Sequence, residues 1–120
     1  MDHILLNELQ FYGYHGVYQE EQQKGQDFVV SVELGLSLSR AGASDDLSDT
    51  VSYAEVYQLI QQVMELERYD LLEAAAEQIQ QRIFSSFALV QTICITVLKP
   101  NAPVAGNFSS MGIRIYRERN

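Results

Sequence analysis

The stretch FVVSVELGLSLS, Phe28 to Ser39, sets Phe28, Val30, Val32, Leu34, Leu36 and Leu38 against Val29, Ser31, Glu33, Gly35, Ser37 and Ser39. A period of two sustained this long specifies a strand with one buried face. Upstream, Leu5, Leu9 and Phe11 are expected on one side of a second strand, with Glu8, Gln10 and Tyr12 on the other. Between the two lies Gly13 to Gln26, a glycine-punctuated loop rich in Glu and Gln with room for a helical turn. Downstream, AGASDDLSDTVSYAEV (41–56) is polar and turn-prone.

Two helices follow. Ser52 with Glu55 has the spacing of a capping box, and Val56, Leu59, Ile60 and Val63 recur at helical spacing behind it. A second start falls near Asp70, again with a Glu three residues on, Glu73; Leu72, Ala76, Ile79, Ile83 and Phe87 supply its buried stripe. The chain closes on two more alternating runs, Ile93, Ile95, Val97 and Met111, Ile113, Ile115, joined by a loop from Pro100 to Ser110. The order is ββααββ. Two amphipathic helices cover one face of a four-stranded antiparallel sheet, an α+β sandwich of two layers. The other face is expected to carry Glu8, Gln10, Ser31, Glu33, Ser37, Arg114 and Tyr116. Strands of this length leave edges that invite pairing, so a homo-oligomer is expected.

Bulk composition narrows the function. The 120 residues fit a single domain, 1–120, and 47% hydrophobic against 20% charged is an ordinary globular balance. A net charge of -8 repels phosphate backbones and anionic lipid, so neither nucleic acid nor membrane is an expected partner. No apolar run is long enough to span a bilayer, and the opening MDHILLNELQFYGYHG has no leader character. One cysteine, Cys94, permits no internal disulfide and points to the cytoplasm. Two distant histidines, His3 and His15, with that cysteine cannot make a common zinc site, so no metal is expected.

Five segments carry a more specific signal: FYGYHGVYQEEQQKGQ (11–26), SDDLSDTVSYAEV (44–56), LLEAAAEQI (71–79), ITVLKP (95–100) and GIRIYRERN (112–120). In this order and spacing they resemble the dihydroneopterin aldolases, pterin enzymes of folate biosynthesis with the ββααββ tunnelling fold. The resemblance covers nearly the whole chain. It implies a lyase that needs no cofactor and cleaves 7,8-dihydroneopterin by a retro-aldol reaction to 6-hydroxymethyl-7,8-dihydropterin and glycolaldehyde. It also implies a ring of four subunits, two rings stacking into a homo-octamer, with sites at subunit interfaces.

Residue by residue, the resemblance makes Glu73 the anchor of the pterin. A carboxylate can accept from the 2-amino group and ring N3–H together. The Leu72 backbone lies beside it. Read alone, Glu73 could equally complete a capping box with Asp70. Lys99, one of two lysines, matches the family's general base; read alone, it is a solvated lysine at a strand end. Tyr53 matches a tyrosine that packs on the pterin from the adjacent subunit and serves proton transfer; alone it is an aromatic at a helix start. Glu21, five residues after Gly16, matches the Glu that meets the hydroxylated tail, with Glu20 as its neighbour and competitor. Val51 and Ser52 are expected to line the pocket through backbone groups, with the Ser52 side chain not counted as a contact. His15 and Tyr14 are read as shaping the strand end, not as catalysts.

Aldol cleavage leaves an electron pair on carbon, which a Schiff base or a metal usually accepts. A pterin's own C6=N5 imine can accept it. The same retro-aldol chemistry run backwards inverts a carbon, so a 2'-epimerase side activity is compatible with these residues. Two other readings stay open: an epimerase of dihydroneopterin triphosphate, disfavoured by the acidic chain, and a non-catalytic oligomeric binding protein. A zinc-dependent pterin synthase of the same fold lacks its histidines here.

Overall fold

In the computed structural model, which describes Met1 to Asn120, the period-two stretch becomes β2 (Gln26–Leu36), and every second residue from Phe28 to Leu36 is at most 1% exposed. β2 pairs antiparallel with β1 (Asp2–Gly13) on one side and with β3 (Thr92–Lys99) on the other; β4 (Met111–Glu118) continues from β3. The sheet order is β1-β2-β3-β4. The strand ends before Ser39, because its partner ends: Asp2 pairs with Leu36, and the Asp2 carboxylate then accepts from Leu38 N at 2.9 Å. The chain turns off there into α2 (Ser39–Ser44) and a 3-10 turn (Leu47–Asp49), neither expected from that polar stretch.

β1 corrects the expected facing of Leu5, which is exposed, while Leu6 is buried. The cause is a bulge. Leu6 pairs with Val32 and Leu9 with Val30, so Asn7 and Glu8 together stand opposite Ser31. Glu8 takes a positive φ of 52° and its N–H donates to Ser31 Oγ at 2.9 Å. Ile4 and Leu6 face the core above the bulge, Leu9 and Phe11 below it.

The helices α3 (Tyr53–Gln61) and α4 (Leu72–Ser86) cover the inner face. Ser52 caps α3, its Oγ accepting from Glu55 N at 3.4 Å. Past Gln61 the helix widens into a π turn (Gln62–Leu66) that buries Val63 and Met64 side by side. α4 buries Leu72, Ala75, Ala76, Ile79 and Ile83. At its far end Arg119, beyond β4, donates to the carbonyls of Phe84, Phe87 and Val90, locking the C-terminal strand to the helix end. None of the helices is long and apolar enough to cross a membrane.

The outer face of the sheet has no helix over it, and it is less polar than expected. Leu5, Glu33, Cys94 and Tyr116 form one row across it, and Val29 pairs with Leu98 in another. Ser37 lies beyond the end of β2 and Glu8 sits in the bulge, so neither belongs to the regular face.

His15 ties these layers together. It is fully buried; its Nε2–H donates to Met64 O at 2.9 Å, and Nδ1 accepts from Tyr69 N at 3.0 Å. Only the neutral ring can do both. Burial pushes its pKa below the usual histidine value, and the bond to the Met64 carbonyl only partly opposes this. The unfolded chain takes up that proton near pH ~6.5, the folded chain at lower pH, so stability falls as pH drops below about 6.5. His15→Phe is expected to cost about 2 kcal/mol or more at neutral pH, by stranding a buried carbonyl and N–H. It should also flatten the loss of melting temperature between neutral and mildly acidic buffer. An unchanged slope would show that His15 is not the titrating group.

Candidate active site

The loop after β1 is pinned at both ends. Beyond the His15 bonds, Gly16 N donates to Tyr69 O at 3.1 Å, and Arg68 Nη1 donates to Gly16 O at 3.1 Å. Gly16 adopts φ 145°, and a Cβ there would fall 2.3 Å from Glu21 Oε1, so glycine alone admits the next element. That element is α1 (Gln19–Lys24), the helical turn allowed for in this loop. Its first turn carries Glu20 and Glu21 in opposite environments. Glu20 is exposed and paired with Lys24 at 3.3 Å. Glu21 is 6% exposed and turned inward.

Glu21 Oε2 receives Lys99 Nζ at 2.6 Å and Gln26 Nε2 at 2.7 Å, while Oε1 accepts from Tyr18 N at 3.3 Å. Lys99, the last residue of β3, is itself only 15% exposed. Burial pulls the Glu21 carboxyl upward, but the bonds from Lys99, Gln26 and Tyr18 outweigh it and hold the pKa below the ordinary glutamate value. The carboxylate is therefore ionised throughout the neutral range. Its stabilising effect is complete above the unfolded value and is lost as pH falls through the lowered one.

This pair and the start of α4 border one groove of about 310 Å³, lined by Glu21, Lys99, Leu72 and Glu73. The alternative reading of Glu73 fails here. The helix is capped by Leu71 without a side-chain bond, and the Asp70 carboxylate instead pairs with Arg68 at 2.7 Å. The Glu73 carboxylate is exposed and not engaged by a cap. At the first two positions of a helix the N–H groups of Leu72 and Glu73 have no intrahelical acceptor. The groove therefore presents one carboxylate beside two free backbone donors, and also a buried carboxylate–ammonium pair. An amide-like ring edge, with two donors next to a carbonyl, matches the first set. A hydroxylated chain matches the second.

Tyr53 and Val51 are elsewhere. Tyr53, at the first turn of α3, is exposed and lines two depressions beside Leu5, Leu9 and Leu38, one of which includes Val51; neither shares a residue with the Glu73–Lys99 groove. Within one chain, four of the six expected site residues converge and these two do not. Gln26 and the Tyr18 N–H, both holding Glu21, were not expected from the sequence. A glutamine at the first position of a strand carries no pattern that would single it out.

The family model for dihydroneopterin aldolase (FolB) matches residues 4–116. The chain is 40% identical over 119 residues to the dihydroneopterin aldolase of Streptococcus pyogenes serotype M1, covering 99% of this chain and 100% of that protein. Among solved structures it is similar to FolB of Vibrio cholerae, with TM-score 0.91 and 34% identity over 99% of this chain and 98% of that one. It is also similar to the Escherichia coli dihydroneopterin aldolase solved with neopterin, with TM-score 0.89 and 28% identity over 98% and 99%. By sequence over nearly its full length, and by fold, the chain belongs to the dihydroneopterin aldolase family of carbon–carbon lyases.

Proposed function

We propose that the groove binds 7,8-dihydroneopterin with its ring at the head of α4 and its tail at the Glu21–Lys99 pair, and that the chain cleaves that tail. The observation that carries this reading is that Glu73 and Lys99 line one groove. Glu73 accepts from the 2-amino group and N3–H, and the free N–H groups of α4 meet the neighbouring ring carbonyl. The bicycle so held directs its side chain to Lys99 and Glu21.

Lys99 takes the proton of the C2' hydroxyl. An ammonium cannot do this, so the base is the neutral amine, and the ionised Glu21 carboxylate 2.6 Å away orients its nitrogen. The C1'–C2' bond then breaks, and C2' leaves as the aldehyde carbon of glycolaldehyde. The electron pair passes from C1' into the C6=N5 imine. Protonation of C1' gives 6-hydroxymethyl-7,8-dihydropterin. Neither a Schiff base nor a metal is needed as electron sink.

Tyr53 supplies the last proton transfer from an adjacent subunit. The separation of Tyr53 and Val51 from the groove supports a site completed between chains. So do Val17, Tyr18, Leu71, Val104 and Met111, which leave an apolar rim exposed around it. Sheets joined edge to edge in a ring of four, two rings stacked, would remove the free edges of β1 and β4. A cytoplasmic location fits the lone cysteine. The triphosphate epimerase reading is weaker: the only cation lining the groove is Lys99, and it is already paired.

Incubation of the purified protein with 7,8-dihydroneopterin should release glycolaldehyde, equally with and without a strong chelator, and enzyme treated with borohydride in the presence of substrate should keep its activity once the reagent is removed. The active species should have the mass of a multiple of four chains. Loss of activity in chelator with recovery on adding zinc would refute the metal-free mechanism. A fully active monomer would refute the shared site.

A further inference from the structure

Gln26 opens β2, where its backbone stands opposite Gly13. Its side chain reaches Glu21: Nε2 donates to Oε2, the same oxygen that receives Lys99. The orientation of this amide is dictated by chemistry. Turned over, it would set its carbonyl oxygen against a carboxylate oxygen, two acceptors with no hydrogen between them. As placed, Gln26 Oε1 is enclosed and no protein group donates to it, the one buried side-chain polar atom of the chain in that condition. Buried polar groups are normally paired. A methionine would fill the same space without that loss, so what the glutamine adds is the single N–H it offers to Glu21. Local conflicts of this kind mark functional positions.

We infer that Gln26 is a positioning residue for the aldol cleavage, its amide fixing the Glu21 carboxylate and, through it, the Lys99 amine at the tail end of the groove. The inference rests on the reading of the groove given above. Gln26 does not line that groove. It lies behind Glu21, in a depression bounded by Tyr12, Tyr18 and Asp27, and so acts through Glu21 and not on the substrate. Without it, Glu21 Oε2 keeps only Lys99, and Oε1 keeps the long bond from Tyr18 N. The carboxylate can then rotate and carry the amine with it. One hydrogen bond to the ionised form also disappears, so Glu21 takes up its proton at higher pH. The other titratable groups lining the two depressions that Glu21 borders are Lys99 from β3, Glu20 and Lys24 on α1, Tyr18 just before α1, Tyr12 and Asp27 from the strands, and Asp70 and Glu73 at the start of α4. All of them are retained in a Gln26 variant.

The test is Gln26→Met, with Gln26→Glu as an isosteric second variant should the first not fold. In both, kcat is expected to fall about 10- to 100-fold, the scale of a misplaced reacting group, while KM moves little. The acid limb of the kcat profile should move to higher pH, and the melting temperature of Gln26→Met should hold or rise. Carboxyl-carbon NMR titration of Glu21 should show its midpoint moved the same way, a readout independent of turnover. If the unsubstituted protein releases no glycolaldehyde, the aldolase reading is overturned together with this one. If it cleaves but the variants keep kcat, or the Glu21 midpoint stays in place, Gln26 positions nothing and the aldolase reading stands.

Discussion

Replacing Lys99 by alanine is expected to lower kcat about 10²–10⁴-fold, the usual contribution of a positioned acid or base, with far less change in affinity for the pterin. The loss has a structural companion. Lys99 and Glu21 are 15% and 6% exposed, and removing one member of a buried pair costs about 3–5 kcal/mol by stranding the other charge. A fall in activity alone could therefore reflect unfolding. Lys99→Arg separates the two effects. Arginine keeps the positive charge beside Glu21, and so most of the stability, but it does not deprotonate and cannot act as the base. The expected pattern is an alanine variant that is both unstable and inactive beside an arginine variant that is stable and inactive. An arginine variant retaining wild-type turnover would remove Lys99 from the proton transfer.

Glu73→Ala should give the opposite signature, with pterin affinity lost before turnover. Hydrogen bonds to a charged group contribute about 1.5–3 kcal/mol, which is about 10- to 150-fold in Kd. Because Glu73 takes no part in capping α4, the substitution should leave the melting temperature nearly unchanged. Glu73→Gln offers one carbonyl acceptor and an NH₂ that opposes the ring donors, so it should bind little better than alanine. Calorimetric titration with neopterin separates binding from catalysis. Undiminished affinity in Glu73→Ala would place the anchor elsewhere.

How far these residues could be read in advance depended on the range of the forces that place them. β2 was legible because its alternation is a local consequence of one buried face, and the same holds for the stripes of α3 and α4. The bulge in β1 was not. Nothing in LLNELQF announces that Ser31, 23 residues away, will accept from Glu8 N and shift the register. The capping pattern at Asp70 misled for a similar reason: Arg68, two residues before it, holds the carboxylate that the helix would have used. Glu20 and Glu21 are indistinguishable by composition. They are separated only by which face of α1 meets Lys99, 78 residues on. Glu73, Glu21 and Lys99 were placed through resemblance to a family, and the fold then brings them to one groove. The distance of Tyr53 from that groove is a property of one chain that the sequence could not express.

Cleavage at this site requires one ring to be held by α4 while its tail reaches β3. A crystal structure of the protein with neopterin tests this directly. The Glu73 carboxylate should accept from the 2-amino group and N3–H, with the trihydroxypropyl chain lying against Lys99 and Glu21. A pterin bound with its tail directed away from Lys99, or without contact to Glu73 in any subunit, would contradict it.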